Sequence, residues 1–329
     1  MASRSASGAL KRVFWNRSER RFRALVRIIF AIVLLVVTIA IVNVALTVLM
    51  QRAQIPLILF AIIIVGQATP IPVVLLAGYQ IDRRVIADIG LGIDRDWWVD
   101  LVFGAVLGGV LMSGIFVVAL FAGWIRIKNT LVVEGLSTGF AGAFVMMLVF
   151  WLISGVSEEL LLRGYLLTNI AEGLAGYVSE RVAVGMAVLV TSSLFGLLHA
   201  ANPNASAVSI FGIGIAGVML AAGYLLTDEL AVPIGLHITW NLFQGTVYGF
   251  GVSGFDFGVN ILEITETGPD VATGGAFGPE AGLLGIGAAV LGIVMIAGYV
   301  RWKYETTGLA EGVARPQLRP RRGVDEQVE

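Results

Sequence analysis

Seven side chains in three hydrophobic stretches could do chemistry together. The run Ser157-Glu158-Glu159-Leu160-Leu161-Leu162-Arg163 puts two carboxylates and a guanidinium inside apolar sequence. An ionisable group in lipid costs several kcal/mol, so each needs a partner or a function. Glu159 and Arg163 are i,i+4 on one helix face and can pair. Glu158 lies about 100° around that helix and has no expected partner within its own span, which leaves it free to take a proton from water as a general base does. The chain has two histidines, His199 and His237, and both fall in apolar runs. Phe195 precedes His199 by one turn, so its ring can pack on the imidazole. His237 and Asn241 are again i,i+4 and aim an imidazole and a carboxamide at one point, an arrangement suited to an oxyanion. The set lacks a nucleophile but supplies a base, a second base or water ligand, and two polarising donors, which together suit the activation of water.

Other readings compete with that one. A histidine or asparagine within a span is often interhelical glue, and a Glu–Glu–Arg cluster also serves as a proton relay. The alternative function is therefore a non-catalytic membrane scaffold, or a proton-coupled carrier using Glu158 as its relay. A carrier commonly has two similar halves, and no such symmetry is present. Among membrane hydrolases, zinc enzymes built on HExxH are excluded, because Ala200 follows His199 and Ile238 follows His237. No GxGD aspartyl motif occurs. Gly251-Val252-Ser253-Gly254 matches a serine-nucleophile pattern, but no histidine follows it, so it reads as a turn. The absence of cysteine rules out thiolate chemistry and disulfides.

The three motifs in order, E-E-x-x-x-R at Glu158, Glu159 and Arg163, F-x-x-x-H at Phe195 and His199, and H-x-x-x-N at His237 and Asn241, resemble those of the CPBP intramembrane proteases. These are related to type II CAAX prenyl endopeptidases and to bacteriocin-processing or immunity membrane proteases. The resemblance covers roughly residues 140–245. It implies that Glu158 and His199 activate the attacking water, that His237 and Asn241 steady the oxyanion, and that Arg163 holds the glutamate pair through Glu159. Family members include metalloproteases and glutamate-dependent enzymes. Zinc, on Glu158, His199 and His237, is thus the alternative to a site that needs no cofactor. The metal-free site is the expectation, since a metal-bound His237 could not also serve the oxyanion. The implied substrate is a peptide or membrane protein, prenylated or not, within the lipid bilayer.

The elements that must position these groups are written in the composition. Of 329 residues, 57% are hydrophobic and 14% charged, and the mean hydropathy is +0.88. Soluble domains carry about 25% charged residues, so a soluble enzyme, a nucleic-acid binder and a disordered chain are all excluded. An all-α polytopic membrane bundle remains. Eight spans are expected, near 28–50, 55–79, 99–124, 138–168, 182–200, 205–226, 230–249 and 282–300, the first an uncleaved anchor. Placing both termini in the cytoplasm puts 18 Lys/Arg inside and three outside, as the positive-inside rule requires. The chain divides into a basic arm (1–27), amino-terminal spans (28–137), a protease-like core (138–250), an outer loop with the last span (251–300) and a second basic arm (301–329). Both arms are expected against anionic headgroups rather than nucleic acid, and 81–98 is expected to lie on the inner interface. The Gly-rich stretch 273–287 should fold back into the last span. In this scheme Glu158 falls near the cytoplasmic end of its span and His199 near the outer end of the next, so either the span boundaries differ from these or the two helices are offset and tilted.

Overall fold

Charge-free apolar runs, broken where proline or a capped turn intervenes, set the helices. A computed structural model describes residues 14–52, 56–135, 138–306, 308–309 and 312–320. Two short strands, β1 (Trp15–Asn16) and β2 (Arg21–Phe22), precede α1 (Ala24–Arg52). Then follow α2 (Pro56–Ala68) and α3 (Pro70–Leu76), where Pro70 sits at the first position of the new helix and the chain continues as a π-helix over Ala77–Ile81. The Asp94 carboxylate accepts from the Trp97 N–H at 2.9 Å and starts α4 (Arg95–Phe121). Strand β3 (Ile125–Val133) leads to α5 (Phe140–Glu159), which runs through π-helical Leu160–Leu167 into α6 (Thr168–Ala175). Next come α7 (Glu180–Leu198) and α8 (Ala207–Thr227). The latter opens on a reciprocal Ser206–Ser209 capping box and closes at Asp228 in the left-handed region. Helix α9 (Ala231–Asn241) continues as π-helix over Leu242–Val247. Strand β4 (Val259–Glu266) pairs antiparallel with β3, and α10 (Leu283–Tyr304) ends the bundle.

Among the described residues, seven helical segments are long and apolar enough to cross a membrane, so the chain is an all-α polytopic membrane protein. The expected span 230–249 is the one that differs. Its helix is short, and Ala231 to Ile238 are all buried, because α9 is wrapped by protein rather than lipid. It nonetheless runs end to end. The Leu230 N–H donates to Gly90 O at one end, and Asn260 Nδ2 donates to Gly245 O at the other. Its closest partner is α4, through glycines on both sides. A Cβ at Gly104 would collide with Val232 O, and one at Gly235 with Leu101 O. Small residues let the two backbones touch, and that contact fixes the height of His237 and Asn241.

The amino-terminal strands, the 81–89 segment and the carboxy-terminal tail share one end of the bundle. Arg84 pairs in a β-bridge with Leu318, and Gln317 N–H donates to Asp88 Oδ1. The expectation that the basic arms lie against headgroups is corrected for two cations of the first arm, Arg21 and Arg27, which join Arg84 of the 81–98 segment in a buried cluster. Arg27 Nε lies 2.9 Å from Asp82 Oδ1, Arg21 and Arg27 both reach Glu172 Oε1 at 2.7 Å, and Arg84 reaches Glu172 Oε2 at 2.7 Å. Arg21, Arg27 and Arg84 are all buried, since these carboxylates compensate them better than lipid phosphate could at that depth. The inner stretch 81–98 is shorter than expected, because its last four residues already belong to α4.

Candidate active site

Four elements bring the chemistry together. Glu158 and Glu159 end α5, just where the helix widens to π geometry. Asn241 ends α9 at an identical transition. Such widened turns occur often at functional positions because they re-aim side chains. His199 caps α7 with φ −92° and ψ 0°, outside the helical region. The mismatch is resolved by the span boundary, which lies beyond the expected residue 168. The continuous helix Phe140–Ala175 has 36 residues, so Glu158 stands at its middle rather than near its inner end. At 1.5 Å per residue it is about 26 Å above Ala175, and His199 is about 29 Å above Glu180 on the neighbouring antiparallel helix. The two side chains therefore share a level.

Glu158, His199, His237 and Asn241 all line one cavity of about 680 Å³. Glu158 is 28% exposed in its side chain, whereas Glu159 beside it is fully buried. Contrary to the sequence reading, Glu158 does have a partner in its own span. Ser154 Oγ, one turn earlier, donates to Oε1 at 2.9 Å. Gln67 of α2 donates to the same oxygen at 3.2 Å and to Ser154 Oγ at 3.0 Å. Oε1 is thus fixed, and Oε2 faces His237 Nε2 at 3.9 Å.

Glu159 is the hub beneath. Its Oε1 accepts from Arg163 Nη1 at 2.8 Å and from His237 Nδ1 at 2.7 Å. Arg163 Nη2 donates to Gly217 O at 3.0 Å, and its guanidinium stacks 4.8 Å from the Phe195 ring centre. Phe195 stands edge-on to both imidazoles, at 5.0 Å from His199 and 5.9 Å from His237. It therefore orients two histidines, where the sequence suggested one. The His199 Nδ1 lies 2.7 Å from Phe195 O. A carbonyl only accepts, so Nδ1 carries the proton and Nε2 presents its lone pair.

Glu158, His199 and His237 are the donors that zinc would need; among the described residues, no group of three His, Cys, Asp or Glu side chains is drawn together closely enough to hold an ion. The sequence reading missed Gln67, Ser154, Asn202 and Glu280 and set Ser253 aside, yet all five line the cavity. Gln67 is the only amide in its span, which was the available signal. Gly251–Gly254 is a turn as expected, closed by the Val252–Phe255 bridge with Ser253 at φ 48°. Burial pushes the Glu280 carboxyl up to about 7, against opposing hydrogen bonds from Gln244 and Ser253.

Residues 140–243 match the family described as Type II CAAX prenyl endopeptidase Rce1-like, and this segment contains all seven motif residues. No curated protein and no solved structure matches the chain.

Proposed function

We propose that this chain, a CPBP-family intramembrane protease over residues 140–243, hydrolyses a peptide bond with water activated by Glu158 and His199. The observation that carries the reading is the convergence of Glu158, His199, His237 and Asn241 on a single cavity within the bundle. With Oε1 of Glu158 held by Gln67 and Ser154, Oε2 is the oxygen left to receive the proton of water. The His199 Nε2 lone pair accepts the second hydrogen and points the water at the scissile carbonyl. As the oxygen–carbon bond forms, charge grows on the carbonyl oxygen, and His237 and Asn241 donate to it. Losing one such donor costs about 2.7–4 kcal/mol. For Nε2 of His237 to donate, the ring must be protonated, and Glu159 at its Nδ1 is the counter-ion. Glu158, Glu159, Arg163 and His237⁺ then sum to zero charge in a low-dielectric site. Protonated Glu158 finally passes its proton to the leaving amine as the C–N bond breaks.

We assign both termini to the cytoplasm from the Lys/Arg distribution; the Arg21–Glu172 pair and the Arg84–Leu318 bridge, which bring residues 21 and 318 to one end of the bundle, support it. The test is a peptide panel, including a farnesylated CAAX tail, incubated with the purified protein in nanodiscs with and without a chelator. Cleavage that survives the chelator supports the scheme. Cleavage abolished by the chelator and restored by zinc would replace it with a metal-centred one.

A further inference from the structure

The same cavity carries a carboxylate that the proposed reaction does not use. Glu280 lies on the return loop before α10 and is 7% exposed. Its Oε2 accepts from Gln244 Nε2 at 2.6 Å, and its Oε1 accepts from Ser253 Oγ at 3.3 Å. Its side-chain hydrogen-bond partners are those two groups, and the backbone at Gly212, Gly278 and Gly285 closes on it. None carries a charge, and among the described residues no Lys, Arg or His lies within ion-pair distance.

The fold gives up side chains to seat this residue. A Cβ at Gly278, whose φ is +112°, would stand 2.8 Å from both Glu280 Oε2 and Gln244 Nε2. A Cβ at Gly212 would collide with Glu280 O, and one at Gly285 with Pro279 O and, at 3.0 Å, with Glu280 N. The turn beside it is tied to the catalytic side as well. Asn202 Nδ2 donates to Ser253 O at 2.9 Å, and the Asn202 N–H donates to His199 O at 3.1 Å. Glu280 is thus held at a defined place relative to His199. A buried carboxylate is normally matched by a cation. This one has neutral donors only and faces a cavity.

We propose that Glu280, with Ser253, forms a cation-accepting subsite that takes an alkylammonium or guanidinium group of the substrate. That the cation arrives on a peptide, as a lysine or arginine side chain or as a free α-amine, rests on the protease reading; the subsite itself does not. A substrate held there at one end and polarised at His237 and Asn241 is fixed at two points, so its charge position selects the bond presented to Glu158.

The experiment uses the full chain in nanodiscs as wild type, Glu280→Gln and Glu158→Gln. Each is titrated with n-butylammonium and with n-butanol, reading the fluorescence of the tryptophans, of which Trp151 and Trp240 line the cavity. Wild type and Glu158→Gln should bind the ammonium at least tenfold more tightly than the alcohol, and Glu280→Gln should bind both equally. Equal ammonium binding by wild type and Glu280→Gln would overturn the subsite, as would loss of ammonium preference in Glu158→Gln. Should Glu280→Gln not fold, a pH series on wild type replaces it. The ammonium preference must vanish as the carboxyl is protonated on the acid side of about pH 7, and a preference constant down to pH 5 would refute the assignment. Parallel cleavage arms with lysine or norleucine peptides, each with free or acetylated amino termini, separate the two cation sources. Charge-selective binding without any cleavage would count against the protease reading while supporting the subsite.

Discussion

Replacing Arg163 by alanine should unfold the site before it slows the chemistry. Arg163 is 1% exposed and Glu159 fully buried, at 2.8 Å. The same guanidinium also holds Gly217 O at 3.0 Å and stacks on Phe195. Arg163→Ala leaves Glu159 with His237 alone, and breaking a buried pair from one side costs about 3–5 kcal/mol. At roughly 2 °C per kcal/mol for a chain of this size, the Tm in nanodiscs should fall by about 6–10 °C. The double variant Glu159→Leu/Arg163→Met removes both charges together, and a well-packed apolar replacement is often neutral. Part of that recovery is lost again, because His237 Nδ1 no longer has its acceptor, at about 1–3 kcal/mol. The double variant should therefore unfold about 4 °C above Arg163→Ala, from a mid-range gain of about 2 kcal/mol, while remaining inactive. A Tm for Arg163→Ala within ~1 °C of wild type, or a double variant no more stable than the single, would refute the argument that a charge stranded in the bundle sets the cost.

Gln67→Leu removes one of two donors to Glu158 Oε1 and should lower kcat by about tenfold or more with KM little changed, read by steady-state cleavage. Phe195→Ala should cost about 3–5 kcal/mol in stability and release both imidazoles, so that activity falls further than in Gln67→Leu; denaturant titration and cleavage assays check the pair. Glu280 binds its proton more tightly folded, at about 7, than its ordinary value of 4.5. Between those values the unfolded chain releases a proton that the folded one keeps, so stability falls as pH rises through this window, by up to ~3 kcal/mol. Tm measured from pH 4.5 to 7.5 should show that slope in wild type and a shallower one in Glu280→Gln.

The candidate catalytic groups were legible because the bilayer makes them conspicuous. Glu158, Glu159, Arg163, His199, His237 and Asn241 are expensive residues at helical spacing, and each spacing survives in the folded chain. Their shared level was not legible, since it depends on a 36-residue helix whose last two turns, beyond residue 168, read as a loop. Helix α9 was read as a lipid-facing span because an apolar helix buried by protein has the same composition. Gln67 could be seen only as a lone amide. Nothing local says that it meets Glu158 across 91 residues of chain. The buried Arg21–Arg27–Arg84 cluster was hidden for the opposite reason. Its carboxylates Asp82 and Glu172 lie in other segments, so the arm that carries Arg21 and Arg27 reads as lipid-seeking.

The central claim, that Glu158 takes the proton of the attacking water, is tested most directly by comparing wild type with Glu158→Gln in nanodiscs on one cleavable peptide, with Tm measured on the same samples. The amide keeps the volume and can still meet Gln67 and Ser154, but it cannot accept a proton. The expected result is a loss of at least about 10²-fold in kcat at an unchanged Tm. A Glu158→Gln protein that cleaves within a few-fold of wild type would contradict the account.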